Sequence, residues 1–377
     1  MDRFPRNDII QLVGNAPRHD LAESVGPDLR LSDILGADGL AALSQLPLGY
    51  ATAAGDAALR AAIGEMHCVG AEDVVITAGG MHALFLLAFM LCERGSQAVV
   101  ASPLFPLARN ALTAVGAEVR TLPLSFDGAY QPDLAALRRL LTRETRLVSL
   151  ASPQNPSGVA ITRETASQVV ALMAERAPHA WLLMDETYRE AVYGDEPVQP
   201  SASLLGPRVI CTGSLSKCHG APGLRIGWAI TRDPALREQL VTAKFNTVVS
   251  CGRLDEVVAL QVLQQRERIV AERRRHLADN LAIAEAWMKR EARHVEWVLP
   301  DAGALCCVRL KAECFDDAGV ERFHAALAGE SVRVGDGRWF GEERRVFRLG
   351  FGLLGAAEFE AALAAVSAAL RQALAAD

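Results

Sequence analysis

The sequence predicts an α/β fold: a mostly parallel central sheet sandwiched by helices, with a smaller α/β domain toward the C-terminus. Short β-branched runs alternate with amphipathic segments through the middle of the 377-residue chain. That alternation is the signature of strand, crossover helix and strand. Half of the residues are hydrophobic and only 6% are aromatic. Ala, Leu and Val dominate, which suits buried parallel strands and the helices covering them. The length exceeds one typical core, so two domains are expected: residues 40–255 as the larger, and 1–39 with 256–377 as the smaller.

Taken in order, the first forty residues contain Leu12-Val-Gly14-Asn-Ala-Pro17 and are expected to complete the smaller domain. Leu48-Gly-Tyr50, followed by Gly55 and Leu59-Arg60, reads as a loop leading into a helix. Strands are expected at 73–77, 98–101, 118–122, 146–151, 181–185, 208–212 and 226–230, with helices at 79–93, 103–115 and 162–177. The most apolar stretch, 81–91, is broken by His82 and is too short to span a bilayer, so it reads as a buried core helix. From about 233 to 291 the pattern is nearly all helical, with a break near Ser250-Cys-Gly252. The basic run from Arg266 to Arg275 is interrupted by Glu267 and Glu272 and reads as a solvated helix face. A strand near 304–310, a helix near 320–328, a strand near 345–351 and a helix from Ala356 close the smaller domain.

A net charge of −6 argues against a nucleic-acid footprint, which needs a concentrated basic face. The eight cysteines show no C-x-x-C spacing, so neither a zinc site nor a disulfide framework is signalled, and no metal is expected. With no targeting pattern and no membrane-length apolar run, a cytoplasmic protein is expected.

The candidate chemistry sits at strand exits, where sheets of this kind place ligands. Ser214-Leu-Ser216-Lys217 is followed eight residues after its lysine by Arg225. Two hydroxyls and a guanidinium suit a phosphate, and an amine suits an aldehyde. The cofactor that is both is pyridoxal 5′-phosphate (PLP). Asp185 ends the apolar run Trp181-Leu-Leu-Met184, where a carboxylate needs a cation such as a protonated pyridine nitrogen. Tyr188 could donate to the ring's phenolic oxygen. The bland alternative makes Asp185 the N-cap of a helix over 186–193.

Asn155-Pro-Ser-Gly158 is turn chemistry on its own, but its order relative to Asp185 and Lys217 favours a contact with cofactor and substrate. Gly79 and Gly80 open an apolar helix whose free N–H groups form an anion site, and Met81 is the next residue. Phe105 could stack on the pyridine face. Arg348 lies within an apolar strand and suits either a substrate carboxylate or a structural ion pair.

Together these motifs resemble the fold type I PLP-dependent enzymes, specifically the class I/II aminotransferase family, from Gly14 to Arg348. The resemblance implies that Lys217 forms the internal aldimine and shuttles the proton between the substrate Cα and the cofactor's C4′. It implies that Asp185 pairs with the pyridine nitrogen and that Asn155 and Tyr188 contact the phenolic oxygen. Gly80, Met81, Ser214, Ser216 and Arg225 would hold the phosphate, with Gly79 beside them. Arg348, with Gly14 and Asn155, would bind the substrate. It further implies a homodimer in which Tyr50 reaches the phosphate of the neighbouring subunit.

Gly80-Met81-His82 departs from the family's commoner sequence there, as does Phe105 where Tyr is frequent. The expected reaction is ping-pong transamination between an L-amino acid and a 2-oxo acid. A C–S lyase or decarboxylase of the same fold is the alternative. A PLP-sensing domain fused to a DNA-binding region is disfavoured by the acidic balance and the lack of room before Gly14.

Overall fold

The computed structural model describes residues 3–5, 7–12, 14 and 16–375. Its strands are β1 (His19–Leu21), β2 (Val74–Ala78), β3 (Gln97–Ser102), β4 (Glu118–Pro123), β5 (Thr145–Ala151), β6 (Trp181–Asp185), β7 (Val209–Ser214), β8 (Ile226–Thr231), β9 (Val295–Trp297), β10 (Leu305–Leu310), β11 (Val332–Asp336) and β12 (Val346–Gly350). The larger sheet runs β2-β8-β7-β6-β5-β3-β4. All its neighbours are parallel except β8, which is antiparallel to both β2 and β7. Each of the seven strands expected for this sheet forms, within two residues of its expected bounds.

The reason is burial. β7 and β8 are buried at every position, so their sequences read as continuous apolar runs. The helices between strands start where local chemistry allows it. Pro106 occupies the first turn of Pro106–Ala114, and the Thr162 hydroxyl accepts from Thr165 N to cap Arg163–Arg176. The helix Gly80–Leu91 buries Ala83, Leu84, Leu86, Leu87 and Ala88, but its Phe89 is 64% exposed.

The second sheet runs β1-β11-β12-β10-β9. β1 joins it by pairing in parallel with β11, so the N-terminal segment does complete this sheet. β1, β9 and β11 were not expected from the sequence. Two are three-residue strands, too short to show period-two alternation. Residues on either side of the expected boundaries share one core. Ile34, Leu35, Ala259, Val262, Leu263 and Ile269 pack with Ile76, Val99 and Ile230 of the larger sheet.

The Arg266 to Arg275 run is more than a solvated face. Within the helix Arg266–Arg290, Arg268 and Arg275 are exposed, whereas Arg266 ion-pairs with the buried Glu190 and Arg274 donates to the Glu190 carbonyl at 3.2 Å. Arg273 donates to the Pro27 carbonyl. These arginines fasten the long helix to the loops beside Lys217, a long-range role that no local pattern announces. Among the described residues, no helix is long and apolar enough to cross a membrane.

Candidate active site

Four strand ends converge on one cleft. Beyond β2 the chain turns at Gly79, whose φ of +76° lies in the left-handed region. A Cβ there would also overlap the Arg225 guanidinium, so backbone and neighbour both demand glycine. Across the sheet, a Cβ on Gly227 would overlap the backbone of Gly79 and Gly80. That close approach lets β8 press the turn against the end of β7. The Gly80 Cα consequently faces Ser214, whose Cβ would lie 3.8 Å from a Cβ at Gly80. The Ser214 hydroxyl accepts from Ser216 N at 3.3 Å, and Arg225 is steadied by donating to the Pro222 carbonyl at 2.9 Å. A helix start, two hydroxyls and a guanidinium thus surround one point, which is an anion cradle.

Asp185 closes β6 on the floor of the same cleft. Its Oδ1 accepts from Thr187 N at 3.1 Å and from the Thr187 hydroxyl at 2.6 Å. Burial pushes the carboxyl's pKa up, and the two Thr187 bonds pull it back down. No helix follows over 186–193, so the capping alternative does not hold. Those residues form turns that point Tyr188 inward. The Tyr188 hydroxyl is buried without a hydrogen-bond partner, and burial pushes its pKa up to about 12. Lys217, just beyond β7, donates to the Ser24 hydroxyl at 3.1 Å. Its pKa is lowered to about 8, mainly by burial and then by the nearby Arg348 cation. The neutral amine, the form that condenses with an aldehyde, is therefore easier to reach than in a solvated lysine.

The other wall is built from residues far apart in the chain. Arg348 on β12 is 2% exposed and has no carboxylate partner among the described residues, so the structural ion pair is absent. Instead Nη1 donates to Asn155 Oδ1 at 2.8 Å and Nη2 donates to the Ala22 carbonyl, while Nε has no partner. Its guanidinium lies over the Phe340 ring at 4.5 Å. Because Asn155 Oδ1 faces Arg348, the amide NH2 is left to donate elsewhere. The turn carrying Asn155 is held by Asp301 N and Ala302 N, which donate to the Gly158 carbonyl at 2.9 and 3.0 Å.

Met81, Phe105, Asn155, Asp185, Tyr188, Ser214, Ser216 and Arg225 line this cleft with Gly80, so most of the residues expected from the sequence are brought together. Gly14 is not: it is exposed, and nothing lies within 4 Å of its Cβ position. Near Arg348 and Lys217 lie instead the Ala22 carbonyl and the Ser24 hydroxyl. Tyr50 is 85% exposed and does not line the cleft of its own chain. Thr187 and Ser24 were missed. Thr187 adjoins Asp185 and could have been found there, whereas Ser24 meets Lys217 across 193 residues.

PLP fits these residues on three observations. The glycine turn leaves a cradle that a Cβ would fill, and among the described residues Asp185 Oδ2 makes no hydrogen bond and the buried Tyr188 hydroxyl lies on the same cleft. Among the described residues, no group of side chains could hold a metal ion.

Comparison with known proteins agrees. The family described as aminotransferase class I and II matches residues 7–366. Capreomycidine synthase of Streptomyces vinaceus is 32% identical over 327 residues, covering 86% of this chain and 82% of that protein. A PLP-dependent aminotransferase from Streptococcus suis superposes with a TM-score of 0.90 at 24% identity, over 98% of each chain. The PLP-dependent cyclase OrfR superposes with a TM-score of 0.83 at 26% identity, over 97% of this chain and 98% of that one. Sequence, architecture and the grouping of residues at the strand ends agree that this chain belongs to the class I and II aminotransferases, enzymes that work with PLP.

Proposed function

We propose that the protein moves the amino group of an L-amino acid to a 2-oxo acid by a ping-pong mechanism. The observation that carries this reading is the grouping of Asn155, Asp185, Tyr188, Ser214, Ser216 and Arg225 around one cleft, with Lys217 just beyond β7 and bonded to Ser24. PLP, when bound, supplies an aldehyde for amines and a ring that takes up carbanion charge. Arg348, with Asn155, holds the substrate's carboxylate through charge-assisted hydrogen bonds. Lys217, once its amine is free, would take the proton from the substrate Cα. Asp185, oriented by Thr187, would pair with the pyridine nitrogen, and Asn155 and Tyr188 would donate to the phenolic oxygen. Gly79, Gly80, Met81, Ser214, Ser216 and Arg225 would hold the phosphate, with Phe105 beside the ring. The same groups would serve the 2-oxo acid.

The domain division at 40–255, a cytoplasmic location and a homodimer belong to the same proposal. Tyr50, at 85% exposed, has the freedom to reach a neighbouring subunit.

A second reading keeps the cofactor and changes the bond broken, as in a lyase or cyclase. The likeness to capreomycidine synthase and to the cyclase OrfR favours it. Decarboxylation is disfavoured by a carboxylate held on Arg348.

The test is a screen of L-amino acids against the cofactor-loaded protein, read by the loss of visible absorbance, with and without a 2-oxo acid. Transamination requires the oxo acid for repeated turnover, whereas elimination proceeds without it. Lys217→Ala is expected to lower turnover by roughly 10²–10⁴-fold or more. Wild-type turnover in that variant would end the proposal.

A further inference from the structure

The phosphate cradle is shaped by a side chain that the reaction leaves unused. Beyond β2, Gly79 N donates to the Thr77 carbonyl at 2.8 Å, and the Thr77 hydroxyl donates to the Gly79 carbonyl at 2.9 Å. These bonds curl the chain ahead of the helix Gly80–Leu91. Ala78 N finds its acceptor in His82, donating to the imidazole Nδ1 at 3.2 Å. The other ring nitrogen, Nε2, lies 3.0 Å from the hydroxyl of Thr247 on the helix Pro234–Val248.

The two bonds fix the state of the ring. A backbone N–H only donates, so Nδ1 is bare and the proton sits on Nε2. Nε2 then donates to Thr247 Oγ1, and the Thr247 hydroxyl donates onward to the Lys244 carbonyl at 2.9 Å. Each donor from Ala78 to Thr247 thereby meets an acceptor. Burial, and then the Lys244 cation, hold the His82 pKa below the ordinary histidine value, which favours the neutral ring that this relay requires.

His82 is the third residue of its helix, and it reaches back past the N-cap Gly79 to the residue before it. A side chain at this position commonly accepts from the N-cap N–H. Here the Thr77 carbonyl has already taken that group. With the N–H groups of Ala78 and Gly79 both engaged, the donors next in line are Gly80 N and Met81 N, first-turn groups with no intrahelical acceptor. We propose that His82 is the positioning residue of the phosphate cradle, its neutral ring holding the Ala78–Gly79 backbone so that Gly80 N and Met81 N face one anion. This rests on the reading above, in which that turn holds the cofactor's phosphate.

The experiment titrates the cofactor-free full chain with PLP or with pyridoxal, which has the same ring and aldehyde without the phosphate, and reads the visible absorbance. In His82→Ala, PLP should bind roughly 5-fold to 30-fold more weakly, the loss expected when a backbone donor goes unmet, while pyridoxal is held as before. His82→Asn places an amide oxygen where Nδ1 stood and should recover most of the preference for PLP. Thr247→Val keeps His82 but removes its outer partner. It should lower the same preference by about 2-fold to 5-fold, and it gives a reading even where His82→Ala does not fold. A merely structural role would weaken PLP and pyridoxal alike, which would overturn the proposal, as would an asparagine variant no better than the alanine one. If the wild type binds PLP no better than pyridoxal, the cradle itself falls and His82 loses its role with it. If the preference for PLP behaves as described but no amino acid is transaminated, His82 keeps its role and only the aminotransferase reading ends.

Discussion

The two walls of the cleft are made in opposite ways. The cofactor wall comes from contiguous motifs at strand exits, and its polar groups are steadied by near neighbours. Asp185 is held by Thr187, Ser214 by Ser216 N and Arg225 by Pro222. The substrate wall is assembled from segments hundreds of residues apart: Arg348 meets Asn155 across 193 residues and Ala22 across 326. The first wall rests on turns next to a rigid, buried sheet. The second depends on how the smaller sheet docks against the larger, so its geometry, and with it the choice of substrate, can change without disturbing the cofactor.

That contrast can be broken by substitution. The largest effect is expected on the cofactor wall. Asp185→Asn removes the charge facing the ring nitrogen and should lower kcat by roughly 10²–10⁴-fold, with little change in substrate KM. An unaltered kcat would show that Asp185 is not coupled to the chemistry.

On the substrate wall, Arg348→Lys keeps the charge but loses the planar fork, which needs two directions at once for Asn155 Oδ1 and the Ala22 carbonyl. Loss of a charged hydrogen bond of about 1.5–3 kcal/mol corresponds to roughly a 10-fold to 150-fold fall in kcat/KM. The change should lie mainly in KM, and the cofactor's affinity and spectrum should stay as they were. A weakened hold on PLP in this variant would mean that the walls are not independent.

The smallest effect belongs to Thr187→Val. Burial raises the Asp185 carboxyl, and Thr187 opposes that rise. Removing the hydroxyl leaves the raising cause less opposed, so the carboxyl titrates at higher pH. The acid limb of the kcat profile should shift upward while the value at high pH changes only a few-fold. A shift downward would contradict the bond from the Thr187 hydroxyl to Asp185.

The same contrast explains what could be read in advance. Most strands of the larger sheet were legible because strands buried on both faces are rich in apolar residues, and five of the seven are followed by an α-helix of period 3.6. The residues that share the cleft were legible because each motif carries its own chemistry within a few positions. Gly14, by contrast, was assigned to the substrate on a resemblance, and it is exposed with nothing within 4 Å of its Cβ position. Arg348 and Lys217 bond instead to Ala22 and Ser24, which carry no motif.

By itself, the sequence determined the class of sheet and the lysine, aspartate, serines and arginine that come together at its strand ends. Spacing along the chain controls all of these. Only the tertiary structure decided that Arg348 lacks an acidic partner among the described residues and that Ser24 holds Lys217. Those facts depend on which distant side chains are brought together and which are left out. Pairing of that kind follows from packing two sheets around one cleft, and no local pattern encodes it.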